Sequence, residues 1–549
     1  MEISSNLSDE LKHECAIYVA YGEKAYISSS NGQEIIENVI NGLIAQSNRG
    51  QEGFGVVSVD PTAADPFSIF ISGDSINSLL NPSNSHRDVL LKHHSKKLVM
   101  GHNRYATFGP PDERNSQPML NDKDCSLPAA RRKVIAFNGN IANANELREK
   151  LIINEGILFE GETDTEVLLR LITSIDQKMH GQNASVASDY ASVFRELDIM
   201  LDGACSLILI DGIGDMVLYR NALGIRPLEY IKTDNRMFFA ASETSAFIGI
   251  HGPYQTLEPG SILHYRHDTD EISLTQIANN SLRFCAMELL YFGRAGSLNS
   301  NVSNDAVRRK IGALMGGRAK EKLAGYALEE VSNISVMPVP NTAIPFAIGM
   351  SESLGLQYDM GIERQNSQRA FINATREDRL NVLRHKFVTI EHLIRDKIVW
   401  VVDDTLIRRD TSSWVTKLLR EAGAQKVEWF IGAPPFQGSC YYGIAVPDLS
   451  QLEYWNAVSE LPQNLKDRAQ NGEEVRELED IIAKNIGADS VTFLSPKLLR
   501  EAMPGDNNKY CYACFNQDYP TQYGQENFSR ELKRLSLEAK SFFKSGSPI

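Results

Sequence analysis

No apolar run in the 549-residue chain reaches the roughly 18 residues that a membrane span requires. The opening stretch, MEISSNLSDELKHE, is polar and lacks an apolar h-region, so it is not expected to act as a secretory signal. Basic charge is in deficit: 56 Lys+Arg against 70 Asp+Glu leave a formal charge of −14. That balance argues against nucleic acid or an anionic membrane as a partner, both of which need a basic field. An anionic substrate must then be gripped locally, against the global charge. A regular cysteine framework is also missing, because the seven cysteines stand at uneven spacings unlike those of a secreted disulfide scaffold. Internal repeats and low-complexity linkers are absent too. What remains is a composition at the globular average, 42% hydrophobic and 23% charged. The length suits two to four domains at roughly 100–200 residues each. The expectation is a soluble, cytoplasmic protein whose cysteines need an explanation other than disulfides.

The hydrophobic grammar changes along the chain. Up to about residue 260, short β-type runs (55–59, 98–100, 134–137, 206–210 and 237–240) are bounded by Gly, Asn and Asp. Helical patterns are clearest at 34–46 and 165–174. Closely spaced strands with few crossovers predict stacked, largely antiparallel sheets. Beyond residue 285, the apolar run 397–402 reads as a strand buried on both faces. A helical 411–422, the stop at Gly423 and a strand at 427–431 follow it, and strand 335–339 with helix 344–354 repeats the order. This βαβ pattern predicts a parallel sheet with its ligand crevice beyond the strands' carboxyl ends. The expected division is a leader over 1–14, one domain over 15–270, a second over 271–460, and a helical tail over 461–549 carrying a Cys-x-x-Cys.

Cys15 opens a strand-like run after the polar leader, and on its own reads as a small buried hydrophobe. Downstream, polar groups or permissive glycines recur where strands and helices give way to loops. These are Asn48-Arg49-Gly50-Gln51-Glu52-Gly53, Gly101-His102-Asn103-Arg104-Tyr105, Phe137-Asn138-Gly139-Asn140 and Glu162-Thr163-Asp164-Thr165-Glu166. In this order and at these separations the segments resemble class II glutamine amidotransferases with an N-terminal cysteine nucleophile. Leu223-Gly224-Ile225-Arg226-Pro227-Leu228, Ala241-Ser242-Glu243-Thr244 and Leu257-Glu258-Pro259-Gly260 extend the likeness. From Cys15 to about Pro520 the chain resembles the glutamine phosphoribosylpyrophosphate amidotransferase family, in its iron–sulfur-containing branch.

The resemblance implies an αββα Ntn-hydrolase sandwich, of the α+β class, followed by an α/β domain with the type I phosphoribosyltransferase fold. It implies Cys15 as the nucleophile, with its own α-amino group as base once residues 1–14 are removed. Asn138 and the Gly139 N–H would hold the oxyanion; Arg104, Thr107 and Asp164 would bind glutamine. Two positions depart from the family pattern, Ala16 for a glycine and Asn48 for a histidine.

In the second half, Val401-Val402-Asp403-Asp404-Thr405 ends a strand in adjacent carboxylates and leads into a helix N-terminus. The segment resembles a phosphoribosyl-pyrophosphate loop, which implies Asp403, Asp404, Thr405, Arg408, Thr411, Ser412 and Arg369 at the substrate, with Thr342, Asp403 and Asp404 around Mg²⁺. Where the family has Arg-Gly-Thr-Thr-Ser, this chain has Arg408-Arg409-Asp410-Thr411-Ser412. Arg409 forfeits glycine's freedom, and Asp410 opposes a phosphate at a cost of about 1–4 kcal/mol for like charges some 4 Å apart. Asn341 stands for an acid. In the flexible-loop segment 363–371 only Arg369 and Phe371 persist, and further on Val388 and Ala445-Val446 also depart from the pattern, while Arg384 and Lys386 keep to it.

Cys511-x-x-Cys514 alone is compatible with zinc, redox chemistry or neither. By resemblance, Cys285, Cys440, Cys511 and Cys514 match the four thiolates of a [4Fe–4S] cluster, with zinc the alternative; Cys125 and Cys205 read as bystanders. The leading expectation is transfer of ammonia from glutamine to phosphoribosyl pyrophosphate, giving 5-phosphoribosylamine, in a homo-oligomer that the resemblance implies to be a tetramer. Two alternatives stand beside it: amination of a different phosphorylated acceptor, and a phosphoribosyl site without catalysis.

Overall fold

The strand Ala16–Gly22 is apolar at every second position on both sides. Ile17, Val19 and Tyr21 point into one core, while Tyr18 and Ala20 point into another. A strand buried on both faces must lie in the middle of a layered structure, and this one does. The computed structural model describes residues 15–23, 32–81, 83–94, 96–104, 115–181, 187–234, 236–365, 386–470, 473 and 475–545, with side chains to 536. Two largely antiparallel sheets stack in the N-terminal half. The first runs Gln255–Thr256, Glu229–Lys232, Met237–Ala241, Ala16–Gly22, Leu98–Asn103, Phe54–Val59, Phe67–Ser72. The second runs Glu271–Gln276, Ser261–Arg266, Met216–Arg220, Gly203–Asp211, Lys133–Ile141, Met119–Leu120. Their inner faces share one core, including Ile17, Met100, Val134, Ala136, Ile208 and Leu218.

Helices cover the outer faces. Gln33–Ala45 lays Ile36, Val39, Ile40 and Leu43 on the first sheet. Asp164–His180 and Tyr190–Met200 cover the second. The start of Asp164–His180 is fixed by Thr163, whose hydroxyl accepts from the Glu166 N–H, and by acids in its first turn. This is the αββα sandwich. The helices Ser85–His93, Ala144–Glu155 and Tyr190–Met200 were not expected from the sequence. The second sheet also continues to Gln276, past the boundary drawn at residue 270.

The C-terminal half is built on a five-stranded parallel sheet. Its order is Gln357–Tyr358, Ile334–Pro338, Ile398–Asp403, Lys426–Ile431, Ser490–Phe493. The helices Asn304–Leu323 and Ile344–Leu354 pack so closely that a Cβ on Gly312 would meet the Phe346 carbonyl oxygen at 2.0 Å. One expectation needs correction. Residues 461–549 are not only a helical tail, because Ser490–Phe493 completes the parallel sheet and Tyr510–Cys511 pairs with Phe284–Cys285. The long helix Gln522–Ser545 is the last of the described elements.

The halves meet through a buried charge network. Arg49 pairs with Glu288 at 2.6 Å and Glu243 at 3.4 Å; Arg226 reaches Glu288 at 3.4 Å. None of these four side chains is exposed. Burial works against the Arg49 charge, but Glu288 and Glu243 outweigh it and hold the guanidinium ionised. Removing one partner from such a set leaves an uncompensated charge, at a cost of about 3–5 kcal/mol. Glu288→Ala, which removes a carboxylate shared by two buried guanidinium groups, is therefore expected to lower unfolding stability by about that amount. Chemical denaturation followed by both near- and far-ultraviolet dichroism checks it; a change under about 1 kcal/mol would mean that water reaches the network.

Candidate active site: a cysteine strand, its neighbours and a carboxylate tip

Cys15 is half-buried at the head of the central strand. Ala16 pairs with Asn103 in the antiparallel register, which brings Arg104 alongside Cys15. Ala16 is extended and fully buried, so the methyl group in place of glycine fits the strand. Arg104 is 5% exposed, and its backbone is held from both sides: its N–H donates to the Gly53 carbonyl at 2.9 Å, and its carbonyl accepts from the Glu52 N–H at 3.1 Å. The loop after Arg49 thus sets where Arg104 sits.

Asn138 and Gly139 belong to the strand Lys133–Ile141 of the second sheet. Asn138 is fully buried, and its Nδ2 lies 3.5 Å from the Ser242 hydroxyl oxygen. The same oxygen accepts from the Ile17 N–H at 3.1 Å, and the Ser242 N–H returns a bond to the Ile17 carbonyl at 3.2 Å. Ser242 therefore ties the cysteine strand to Asn138. Gly139 has a φ of +149°, a conformation that favours glycine. Asp164 begins its helix beside this strand, accepting from the Ile141 N–H at 3.2 Å. Desolvation pushes its carboxyl up to about 6, although backbone N–H groups pull the other way. The structure thus gathers Cys15, Arg104, Asn138, Gly139 and Asp164 at one end of the sandwich. Thr107 lies outside the described residues.

At the tip of the parallel sheet, Asp403 ends the middle strand and Asp404 is 5% exposed. The Asp404 N–H donates to Asp403 at 2.9 Å, and the Thr405 hydroxyl to Asp404 at 2.8 Å. The Val339 N–H bonds the Val402 carbonyl at 2.9 Å, so the turn carrying Asn341 and Thr342 stands next to this tip. Arg408 turns to Gln451, and Ser412 bonds back to the Arg409 carbonyl. Arg409 caps the helix Asp410–Glu421 in a right-handed helical conformation; Asp410 and Thr411 fill its first turn. Beneath the tip lies Arg308, 2% exposed; burial lowers its pKa to about 10 while Asp404 and Glu243 oppose the shift. Arg369 and Phe371 lie outside the described residues, as does Arg384.

A family model described as a glutamine amidotransferase domain matches residues 83–283. The amidophosphoribosyltransferase of Bacillus subtilis (strain 168) is 29% identical over 538 residues, covering 96% of this chain and 98% of its own. That of Methanothermobacter thermautotrophicus is 27% identical over 514 residues, covering 93% and 95%. Among solved structures, one described as the allosteric regulatory enzyme of purine biosynthesis superposes with a TM-score of 0.73 at 27% identity. It covers 93% of this chain and 97% of the other. The glutamine phosphoribosylpyrophosphate amidotransferase of B. subtilis, complexed with ADP and GMP, gives 0.72 at 26%, covering 93% and 98%. Over nearly its whole length the chain is similar to amidophosphoribosyltransferases.

Within this family's frame, Cys285, Cys440, Cys511 and Cys514 line one cavity together with Ile225, Tyr442 and Tyr519. Cys285 and Cys511 are direct partners across the short parallel pair. Burial pushes the Cys285 thiol up to about 11, and raises Cys511 and Cys514 further. Neighbouring thiols add to the rise, so these sulfurs stay protonated unless a cation pays for their ionisation. No group of three or more His, Cys, Asp or Glu among the described residues is arranged to hold a single metal ion. Cys205 is buried in the second sheet's outer core, and Cys125 is exposed.

Sequence reasoning passed over Ser242, Glu243, Arg226, Glu288 and Arg308. The segments around Ser242 and Arg226 stood out in the sequence, but nothing local marked which side chain would meet which. Asp164 supplies a pH test. Its carboxyl is charged only above about 6, so affinity for an amino-acid ligand that places its ammonium there rises as pH increases through 6 and then levels. Calorimetric titration with glutamine between pH 5 and 8 checks this, and Asp164→Asn is expected to flatten the profile and weaken binding at pH 8.

Proposed function

We propose that the protein transfers ammonia from glutamine to phosphoribosyl pyrophosphate, releasing pyrophosphate and forming 5-phosphoribosylamine for purine synthesis. The observation that carries this reading is the gathering of Cys15, Arg104, Asn138, Gly139 and Asp164 at one end of a sandwich that is fused to a carboxylate-tipped parallel sheet. A base takes the Cys15 thiol proton as the sulfur attacks the side-chain amide of glutamine, and later returns it to the leaving nitrogen. In the mature protein that base is the α-amino group of Cys15, which requires removal of residues 1–14. Asn138 Nδ2 and the Gly139 N–H stabilise the tetrahedral oxyanion; removing one such donor typically costs about 10²–10³ in rate. Collapse releases ammonia and leaves a thioester, which water hydrolyses to glutamate. Arg104 grips the α-carboxylate, Thr107 assists, and Asp164 holds the α-ammonium. Ammonia then attacks C1 of the second substrate, and the C1–O bond to pyrophosphate breaks. Asp403, Asp404 and Thr405 hold the ribose, and Thr342, Asp403 and Asp404 would hold hydrated Mg²⁺. Arg408, Thr411, Ser412 and Arg369 surround the phosphates. The working unit is a homo-oligomer, with tetramer the expected size.

Four cysteines lining one cavity would hold a [4Fe–4S] cluster through Cys285, Cys440, Cys511 and Cys514; zinc, the alternative, would need the thiols drawn together around one ion. Bound there, the group supplies a crosslink between the tail and the domain boundary.

A second reading rests on Asp410. Its carboxylate sits in the first turn of the helix, where the backbone N–H groups that would meet a phosphate lie. That arrangement favours an acceptor other than phosphoribosyl pyrophosphate, with the glutaminase half unchanged.

Glutamine hydrolysis is expected to disappear in Cys15→Ala; an undiminished rate would overturn the nucleophile assignment. Pyrophosphate release from phosphoribosyl pyrophosphate with glutamine, in anaerobically purified protein, separates the two readings: glutaminase without pyrophosphate release selects the second. Equimolar iron and acid-labile sulfide, with a brown colour that Cys511→Ser loses, supports the cluster, and a colourless zinc protein refutes it.

A further inference from the structure

The loop 439–444 supplies one thiol, and its other side presses on the amidotransferase half. A Cβ placed on Gly443 would fall 3.1 Å from the carbonyl carbon of Gly139 and 3.2 Å from its Cα and oxygen. Across the glycine, a Cβ on Gly139 would fall 2.0 Å from the Ala204 carbonyl oxygen. Gly139 is thus gripped between its own sheet neighbour and a loop from the C-terminal half. Gly443 has a φ of +110°, so both faces of the contact use backbone that side chains disfavour.

The loop is fixed from several directions. Asn140 Nδ2 donates to the Tyr441 carbonyl at 2.9 Å, and Arg226 Nε to the Tyr442 carbonyl at 2.7 Å. From outside, Glu531 of the last helix accepts from the Tyr441 hydroxyl at 2.6 Å, the Ser439 hydroxyl at 2.9 Å and the Leu449 N–H at 3.1 Å. The same helix begins by donating the Tyr523 N–H to Asp202 at 3.1 Å, and the Asp202 carbonyl holds the Ala142 N–H at 2.7 Å. The segment from Gly139 to Ala142 is therefore braced along its length by the C-terminal 110 or so residues.

We propose that Gly443 is a positioning residue for glutamine hydrolysis, backing Gly139 so that its N–H holds the direction the oxyanion requires. The inference rests on the assignment of Gly139 as an oxyanion donor. Such donors act through preorganisation: a donor that must be re-aimed during the reaction loses its advantage. Misplacement by about 1 Å can cost on the order of 10²-fold in rate. Because the interaction strengthens only in the transition state, its loss lowers kcat and leaves KM nearly unchanged.

The test uses the mature, metal-loaded protein that begins at Cys15. In Gly443→Ala the new methyl group pushes on Gly139, and glutaminase kcat is expected to fall about 10- to 100-fold, with KM for glutamine within about two-fold. Alkylation of Cys15 by iodoacetamide and turnover with ammonium in place of glutamine are expected to match the parent protein. Asn140→Ala, which removes the tie to Tyr441 without adding bulk, is expected to lower kcat in the same direction by less. An unchanged kcat in both variants overturns the proposal, as does a parallel loss of ammonium-dependent turnover or of Cys15 alkylation. If Gly443→Ala does not fold, Asn140→Ala decides: unchanged kcat overturns, and a selective fall in kcat supports. The underlying assignment fails separately, in the parent background, if glutaminase survives both Cys15→Ala and Asn138→Ala.

Discussion

Two guanidinium groups and two carboxylates buried between the halves govern how the rest of the molecule is arranged. Arg49, Arg226, Glu243 and Glu288 come from four distant stretches of chain, and their charges cancel. In a medium of low polarisability, each charge is tolerable only while its partners stay in place. Each member also carries something else. Arg49 opens the loop that holds Arg104, and Arg226 holds the loop of Cys440 and Gly443. Glu288 belongs to a short π-helix whose end receives Asn48, the residue standing where the family pattern has histidine. Placement of the halves is thereby tied to the network, since losing one member leaves buried charge behind.

The acidic excess of the chain is met in a similar way at the sheet tip. Asp403 and Asp404 crowd one strand end, and Arg308 underlies them from a buried position on the neighbouring helix. Its guanidinium also binds the Leu289 and Gly293 carbonyls, so its charge is fixed in direction. Its charge and that of Asp404 attract, which offsets part of the acidic charge at the tip. Asp410 has no such partner in its own turn of helix, and it falls where the loop departs furthest from the family pattern.

Much of this was legible in the sequence because burial on both faces leaves a strong mark. The runs at 134–137, 206–210 and 397–402 are nearly continuous in apolar residues, and all three fall in interior strands. Glycines and cysteines in fixed order pointed to the family and to the amidotransferase site. Other features left no mark. The helix Ala144–Glu155 buries little beyond Leu147 and Leu151, so its pattern is faint. The strand Ser490–Phe493 is four residues with alternating polarity at a sheet edge, easily taken for part of a helical tail. The pairing of Arg49 with Glu288, or of Ser242 with Asn138, is set by layers stacking in three dimensions, which no local spacing encodes.

The contact between Gly443 and the oxyanion strand has a consequence for the order of events at the ribosome. The bond from Asn140 to Tyr441 spans 301 residues, and the one from Tyr523 to Asp202 spans 321. At roughly 5–20 residues per second, the brace emerges about 15–60 s after the strand it supports. During that interval the sandwich can fold on its own cores, yet the Gly139 peptide has nothing behind it. On the proposed roles of Cys15 and Gly139, a nascent chain is thus expected to pass through a stage with a formed nucleophile strand and a slack oxyanion site, and glutamine would be spared until the domain that receives its nitrogen exists.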